Sequence, residues 1–214
     1  MVDWGALREH EASRYRDGES RLGDGTDERQ RQLTRMGNAA WGAGLSALME
    51  HGDSGEWLER AAGRWRESYA DAPPGSWGRP IGAIKALVLA GDWSGAEDAA
   101  RWALAEGAGE AESSIGRYAA GLACSVLGDW ERARFHADTI RIRDDFPRDV
   151  GDALATISAE DVVGYVEAIE SVLASFETRE DYLEDVPVAD TVLVLQALAG
   201  KRNMAADLSS ELLP

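Results

Sequence analysis

The sequence predicts an all-α protein built as stacked antiparallel helical hairpins. Two observations carry that prediction. Apolar residues recur at helical spacing along most of the chain, and no stretch alternates at period two. Gly-Asp-Trp occurs twice, at Gly91–Trp93 and Gly128–Trp130, each time between two segments of helical periodicity. Each Trp is followed by Ala three residues later and again after four more: Ala96 and Ala100, then Ala133 and Ala137. The 214 residues, 44% of them hydrophobic, are enough for one core of ordinary size.

Taken in order, residues 1–26 read as a weakly structured N-terminal arm or a short helix near Trp4 to Tyr15. "RDGESRLGDGTDE" is rich in glycine and charge and reads as a loop. Residues 27–214 read as a single helical-repeat domain. Leu33, Met36, Ala40, Gly44 and Leu48 form its first apolar stripe. Gly37, Gly42 and Gly44 each weaken that helix by up to about 1 kcal/mol relative to Ala, and they let a neighbour approach closely. Ser54 suits an N-cap, and Leu58, Ala61, Ala62, Trp65 and Tyr69 follow as the next stripe. "DAPPGSWGRP" ends it, since Pro73 does not continue a helix.

The two Gly-Asp-Trp units come next. Helices are expected over Ile81–Ala90 and Ser94–Glu106, then from a cap at Ser113 or Ser114 to Leu127, then along Ala133, Ala137 and Ile140. The triplet is a turn with a physical logic. Gly91 and Gly128 end a helix in the left-handed conformation. Asp92 and Asp129 cap the next helix, and Trp93 and Trp130 cover the turn. A third pair follows, with Ser158 and Asp161 resembling a capping box ahead of Val162, Val166, Ile169, Leu173 and Phe176. Pro187 suits the first turn of a last helix. Val188, Val192, Leu193, Val194, Leu195 and Leu198 leave that helix few polar positions, so it is expected to be packed on most sides. "LQALAGKRNMAADL" repeats the Gly-then-Ala rhythm without the Trp. Eight to ten helices are expected in all.

These units resemble tetratricopeptide repeats, helical hairpins of about 34 residues. Gly91, Trp93 and Ala96 match that family's turn, as do Gly128, Trp130 and Ala133; Gly121 falls on its first-helix glycine, where the first unit has Ile84. The resemblance covers residues 81–147 well and 150–210 loosely, and implies a tetratricopeptide-like array whose hairpins need neighbours to bury their faces. A second resemblance concerns layout. "PPGSWGRPIGAIKALVLAGD", "DALATISAEDVVGYVEAIESVLASFETR" and "PVADTVLVLQALAGKRNMAADLSSELLP" are similar to the immunity 49 family, helical proteins of bacterial polymorphic toxin systems. That resemblance implies neutralisation of a toxin by direct binding, without catalytic residues.

Composition narrows the partners. Asp and Glu number 39 against 22 Lys and Arg, a formal net charge of −17. Nucleic-acid binding depends on neutralising phosphates, and anionic membranes attract basic segments, so neither is an expected partner. A protein partner with a basic surface fits better. Apart from Lys85 and Lys201 the basic residues are all Arg; GC-rich coding and a halophilic, salt-rich cytoplasm both favour that bias. The single Cys124 excludes an intrachain disulfide, and the N-terminus has no apolar signal region, so a cytoplasmic location is expected.

No residue pattern points to catalysis, a cofactor or a metal. Cys124 lies in apolar "GLACSV" and reads as a buried, inert thiol. His10, His51 and His136 share no ligand spacing. The acid pairs Asp144–Asp145, Glu160–Asp161, Glu180–Asp181 and Glu184–Asp185 read as solvated caps and loops, although an enzyme using one of them stays an alternative. "GAGEAESS" lacks the Lys and the strand of a phosphate loop. Arg132, Arg134, Arg141, Arg143 and Arg148 alternate with acids and are expected to pair locally.

The candidate partner-binding residues are Trp77 and Arg79 in "PPGSWGRP", together with Trp57 and Trp102, because Trp and Arg are the residue types that anchor interfaces. The competing reading has Trp77 plugging a hairpin end and Arg79 paired with an acid. Trp65 reads as core. The expectation is a non-enzymatic protein-binding helical-repeat protein, in its sharper form an immunity protein. The alternative is a scaffold or self-assembling adaptor, with the oligomeric state open.

Overall fold

A computed structural model describes residues 2–214. Among the described residues there are ten α-helices and no strand. They are α1 (Trp4–Ser20), α2 (Thr26–Met49), α3 (Gly55–Tyr69), α4 (Gly78–Leu89), α5 (Trp93–Ala105), α6 (Ser114–Val126), α7 (Trp130–Ile140), α8 (Arg148–Ala159), α9 (Val162–Glu177) and α10 (Asp190–Gly200). The all-α array of antiparallel hairpins is therefore present. Each helix packs on its neighbour in sequence, and α4, α6 and α8 also meet one another in turn.

One turn is used repeatedly. At Gly91 and Gly128 the backbone is left-handed, with φ of +74° at both. Gly91 N–H donates to Val88 O at 3.1 Å and Asp92 N–H to Leu87 O at 3.0 Å. That crossed pair satisfies the last carbonyls of α4. The Asp92 carboxylate then accepts from Gly95 N–H at 2.9 Å, and Asp129 does the same for Arg132 N–H at 3.2 Å. The third hairpin has the same turn with Glu160 left-handed at φ +56° and Asp161 accepting from Gly164 N–H at 3.0 Å. Asp161 is thus itself the cap. Ser158, expected as the cap, lies inside α8 and donates its hydroxyl to Leu154 O at 2.8 Å. The turn recurs at His51 between α2 and α3, and at Asn203 after α10. In the last case no helix follows, so the rhythm read around Gly200 marks a hairpin with one arm: Gly200 is the end of α10.

The first 26 residues hold more structure than an arm. Asp3 caps α1 by accepting from Ala6 N–H at 2.9 Å. The helix runs on through Gly18 to Ser20, and Glu11, Ala12 and Tyr15 are buried against the rest of the fold. Glycine allows this. A Cβ at Gly42 of α2 would sit 2.9 Å from the Glu11 side chain, and one at Gly18 would sit 2.6 Å from Met36.

Trp65 fixes the next layer. Its indole lies between α2 and α4, and a Cβ at either Gly37 or Gly82 would come within 2.7 Å of the ring. Its Nε1–H donates to Asn38 Oδ1 at 3.0 Å. Trp65 is core, as its spacing indicates.

At the far end α10 turns back across α4, α8 and α9. Val192, Val194, Leu195 and Leu198 are buried, which accounts for the lack of polar positions. The basic turn after α10 reaches both repeat tryptophans. Lys201 Nζ stands 3.9 Å from the Trp93 ring, and the Arg202 guanidinium 4.4 Å from the Trp130 ring. Arg202 also pairs with Glu160 at 2.5 Å and donates to Ser158 O at 3.0 Å. The tips of consecutive hairpins are joined by one short segment.

Two kinds of glycine can be separated by substitution. Gly63→Ala, on an exposed face of α3 with nothing near its Cβ, is expected to stabilise by up to about 1 kcal/mol. Gly37→Ala and Gly82→Ala meet the Trp65 ring and are expected to cost about 1–3 kcal/mol despite better helix propensity. Urea unfolding midpoints of the three variants check the opposite signs.

Candidate functional site

The loop between α3 and α4 builds one side of an open cavity. Pro73 and Pro74 end α3, Gly75 turns with φ +80°, and Ser76 donates its hydroxyl to Pro73 O at 2.6 Å. This delivers Trp77 to the start of α4, with its ring against Gly116 of α6. A Cβ on Gly116 would lie 2.8 Å from Trp77 Nε1. Trp77 is buried, so the plug reading describes its back; its remaining edge lines the cavity.

The cavity measures about 460 Å³ and is walled by Trp41 and Trp65 beside Trp77, with Ile81, Ile115 and Leu183 completing the apolar lining. Trp41 and Trp65 pack with ring centroids 5.8 Å apart. The polar groups sit at two ends. At one end Lys85 of α4 forms an ion pair with Asp190 of α10, donates to Thr191 Oγ1 at 3.0 Å, and stands 6.0 Å from the Trp41 ring. Asn38 is fixed on both sides: its Oδ1 accepts from Trp65, and its Nδ2 donates to Glu184 Oε1 at 3.0 Å. Glu184 in turn pairs with Arg14 of α1.

Arg79 forms the other end. Its Nε–H donates to Ser68 Oγ at 2.9 Å, and its Nη2 donates to Gln30 Oε1 at 2.7 Å and Thr34 Oγ1 at 3.0 Å. All three acceptors are neutral. Among the described residues no carboxylate lies within ion-pair distance of Arg79, so the expected pairing with an acid is absent. Burial pushes the guanidinium below its ordinary pKa, with Tyr69 opposing; an arginine remains charged there nonetheless.

Of the four residues singled out from sequence, the fold brings Trp77 and Arg79 together and leaves Trp57 and Trp102 elsewhere. Trp57 packs edge-on to Tyr15 at 5.7 Å and carries Arg60 over its ring at 4.8 Å. Trp102 packs edge-on to Tyr69 at 5.2 Å, carries Arg66 at 5.2 Å, and donates Nε1–H to Glu106 at 3.2 Å. Both are half-buried bracing residues between helices. Sequence reasoning missed Trp41, Asn38, Lys85, Asp190 and Leu183. Lys85 had a signal: a single charge inside the apolar run "AIKALVLA" needs a buried partner.

The remaining chemistry-bearing residues have structural surroundings. Cys124 is buried, and burial pushes its thiol pKa up. The acid pairs divide into separate roles: Asp145 accepts from Ser114 Oγ, while Glu160 and Glu184 hold arginines. Arg134, Arg141, Arg143 and Arg148 pair with Asp138, Asp145 and Asp152 along α7, α8 and their connection. Among the described residues no group of His, Cys, Asp or Glu is arranged to hold a metal ion, and no helix is long and apolar enough to cross a membrane. No family model, curated protein or solved structure matches the chain.

His136 supplies a pH test of the array. It is buried in α7, its Nδ1 has no hydrogen-bond partner, and its pKa is lowered by burial first and then by Arg117 and Arg132. The folded state therefore binds fewer protons than the unfolded chain. Its contribution is fully present above the ordinary value of 6.5 and is lost as pH falls through the lowered folded value. Unfolding free energy should drop on acidification from neutral pH, and the drop should flatten in His136→Leu, measured by urea unfolding across a pH series.

Proposed function

We propose that this chain is a non-enzymatic binding protein that docks a protein partner through the tryptophan-walled cavity and its rim. The observation that carries this reading is the rigidity of the walls. Trp65 is clamped by Gly37 and Gly82 and held by Asn38, and Trp77 is seated on Gly116. A site ordered before binding costs little conformational entropy when it is filled. Ile115 and Leu183 lie exposed at the mouth, where a partner's side chains can reach them.

In its sharper form the partner is a toxin domain and the chain neutralises it as an immunity protein. The layout of the sequence supports this, and so does the net charge of −17, which speeds encounter with a basic partner. A cytoplasmic location accords with the free, buried Cys124. A second reading, a self-assembling scaffold, is favoured by exposed apolar side chains on α7, on the turn after it and on α9: Phe135 is 60% exposed, Ile142 82% and Val163 70%.

The test is affinity capture from the native host at its own salt, followed by reconstitution of the purified pair. Wild type should hold one stoichiometric protein, and Leu183→Asp at the exposed mouth should weaken the pair by about tenfold or more, a loss of roughly 1.4 kcal/mol. A partner that binds Leu183→Asp as tightly as wild type removes the cavity from the interface. A mass that rises with concentration and no other protein moves the assignment to the scaffold.

A further inference from the structure

The chemistry of the cavity names the group it takes. We infer that it recognises a carboxylate attached to an apolar group, with the carboxylate on Arg79 and the apolar group between the tryptophan walls. This rests on the cavity being the recognition site.

Acids outnumber basic residues by 39 to 22, and most arginines find a carboxylate, Arg14, Arg64, Arg141 and Arg202 among them. Arg79 finds none, and unlike Arg31, Arg35, Arg66, Arg117 and Arg179, which also lack a carboxylate partner among the described residues, it lines this cavity. Ser68 and Gln30, both buried, hold the plane of its guanidinium through Nε and Nη2. Nη1 makes no hydrogen bond among the described residues, so two N–H donors on a fixed cation are left over. Neutral acceptors orient the charge without cancelling it. A carboxylate supplies both the missing acceptors and the missing charge.

The rest of the cavity selects among anions. Lys85 is already neutralised by Asp190, so the site offers one net positive charge. A phosphate dianion would be left half compensated against apolar walls; a monocarboxylate is matched. Three indoles could also surround a cation. Arg79 and Lys85 already lie along these walls, however, and a further cation would meet Arg79 unscreened. The volume of about 460 Å³ falls within the range of about 300–1,000 Å³ typical of ligand pockets. Two sources carry this chemistry: the C-terminus of a polypeptide ending in an apolar residue, and a free aromatic or aliphatic acid.

The experiment titrates the whole chain by calorimetry, with tryptophan fluorescence as a second readout, using N-acetyl-phenylalanine and its C-terminal amide. The acid should bind saturably and the amide at least about tenfold more weakly, as expected for loss of a charge-assisted contact. Arg79→Gln should bring the two together, while Arg66→Gln, over Trp102, keeps the difference. Should Arg79→Gln fail to fold, the acid-to-amide ratio in wild type decides alone. A pentapeptide ending in free phenylalanine then separates the sources: tighter binding than N-acetyl-phenylalanine supports a polypeptide C-terminus, and equal binding supports a small acid. Acid and amide binding equally overturns the carboxylate assignment while the Leu183→Asp result with the captured partner still judges the docking site. Tighter binding of phenethylammonium, or no binding of either phenylalanine probe, also overturns it.

Discussion

The packing of Trp65 between two glycines governs the first half of this molecule. Helices α2 and α4 approach the indole from opposite sides at a distance that no side chain at 37 or 82 would allow. Helix propensity alone disfavours glycine at both positions, by roughly 1 kcal/mol each. What offsets that cost is burial of a whole indole with its polar atom satisfied by Asn38. The contact also has a direction. With Trp65 held, Trp41 is set against it and α4 is fixed in register on α2, so that Arg79 reaches Gln30 and Thr34. The cavity adjoins the clamp: Trp41, Trp65 and Gly82 all line it.

The hairpin turns show how far a sequence reading can reach. Gly91 and Gly128 are legible because glycine is the residue that takes positive φ without strain. His51, Glu160 and Asn203 adopt the same conformation, which costs roughly 1–2 kcal/mol per residue. Asn and His are enriched in this conformation and carry a weak signal at 203 and 51, whereas the residue type at Glu160 carries none. The Ser158–Asp161 spacing resembles a capping box, which would make Ser158 the cap and Asp161 its partner three residues on; in the structure Asp161 is the cap. The deciding fact is that α8 continues through Ser158, whose hydroxyl is used within its own helix. Helix α1 is faint in the sequence for a different reason. Its surface is nearly all charge and its buried face is small: Ala12, Tyr15 and Glu11, the last lying against Gly42 of α2. A stripe that works through close approach carries little hydrophobicity to detect.

The site divides along the same line. Trp77 and Arg79 stand two residues apart where a proline-stiffened loop enters α4, so one segment of sequence places both. Trp57 and Trp102 share their residue type but lie on helix faces braced by a tyrosine two helices earlier, Tyr15 of α1 and Tyr69 of α3. Trp41, Lys85, Leu183 and Asp190 come from four segments that meet only in the folded chain. Local pattern cannot report a meeting of α2, α4 and α10, and the Lys85–Asp190 pair spans more than a hundred residues.

That long-range pairing ties the cavity to the end of the array. Asp190 begins α10, and Lys201 and Arg202 follow its last turn onto Trp93, Trp130 and Glu160. Leu183 and Glu184, on the segment leading into α10, reach the cavity and Asn38. One stretch of chain therefore completes the cavity at its start and clasps the hairpin tips at its finish. Occupancy of the cavity favours the state in which this stretch is seated, and seating it completes the cavity; the two are linked by the same free energy in both directions. Stacked hairpins by themselves contact only their neighbours. Here α10 adds contacts between hairpins distant in sequence, and it does so from the same segment that completes the cavity. The cavity thereby lies where helices early in the chain, α2 and α4, meet the last helix, α10.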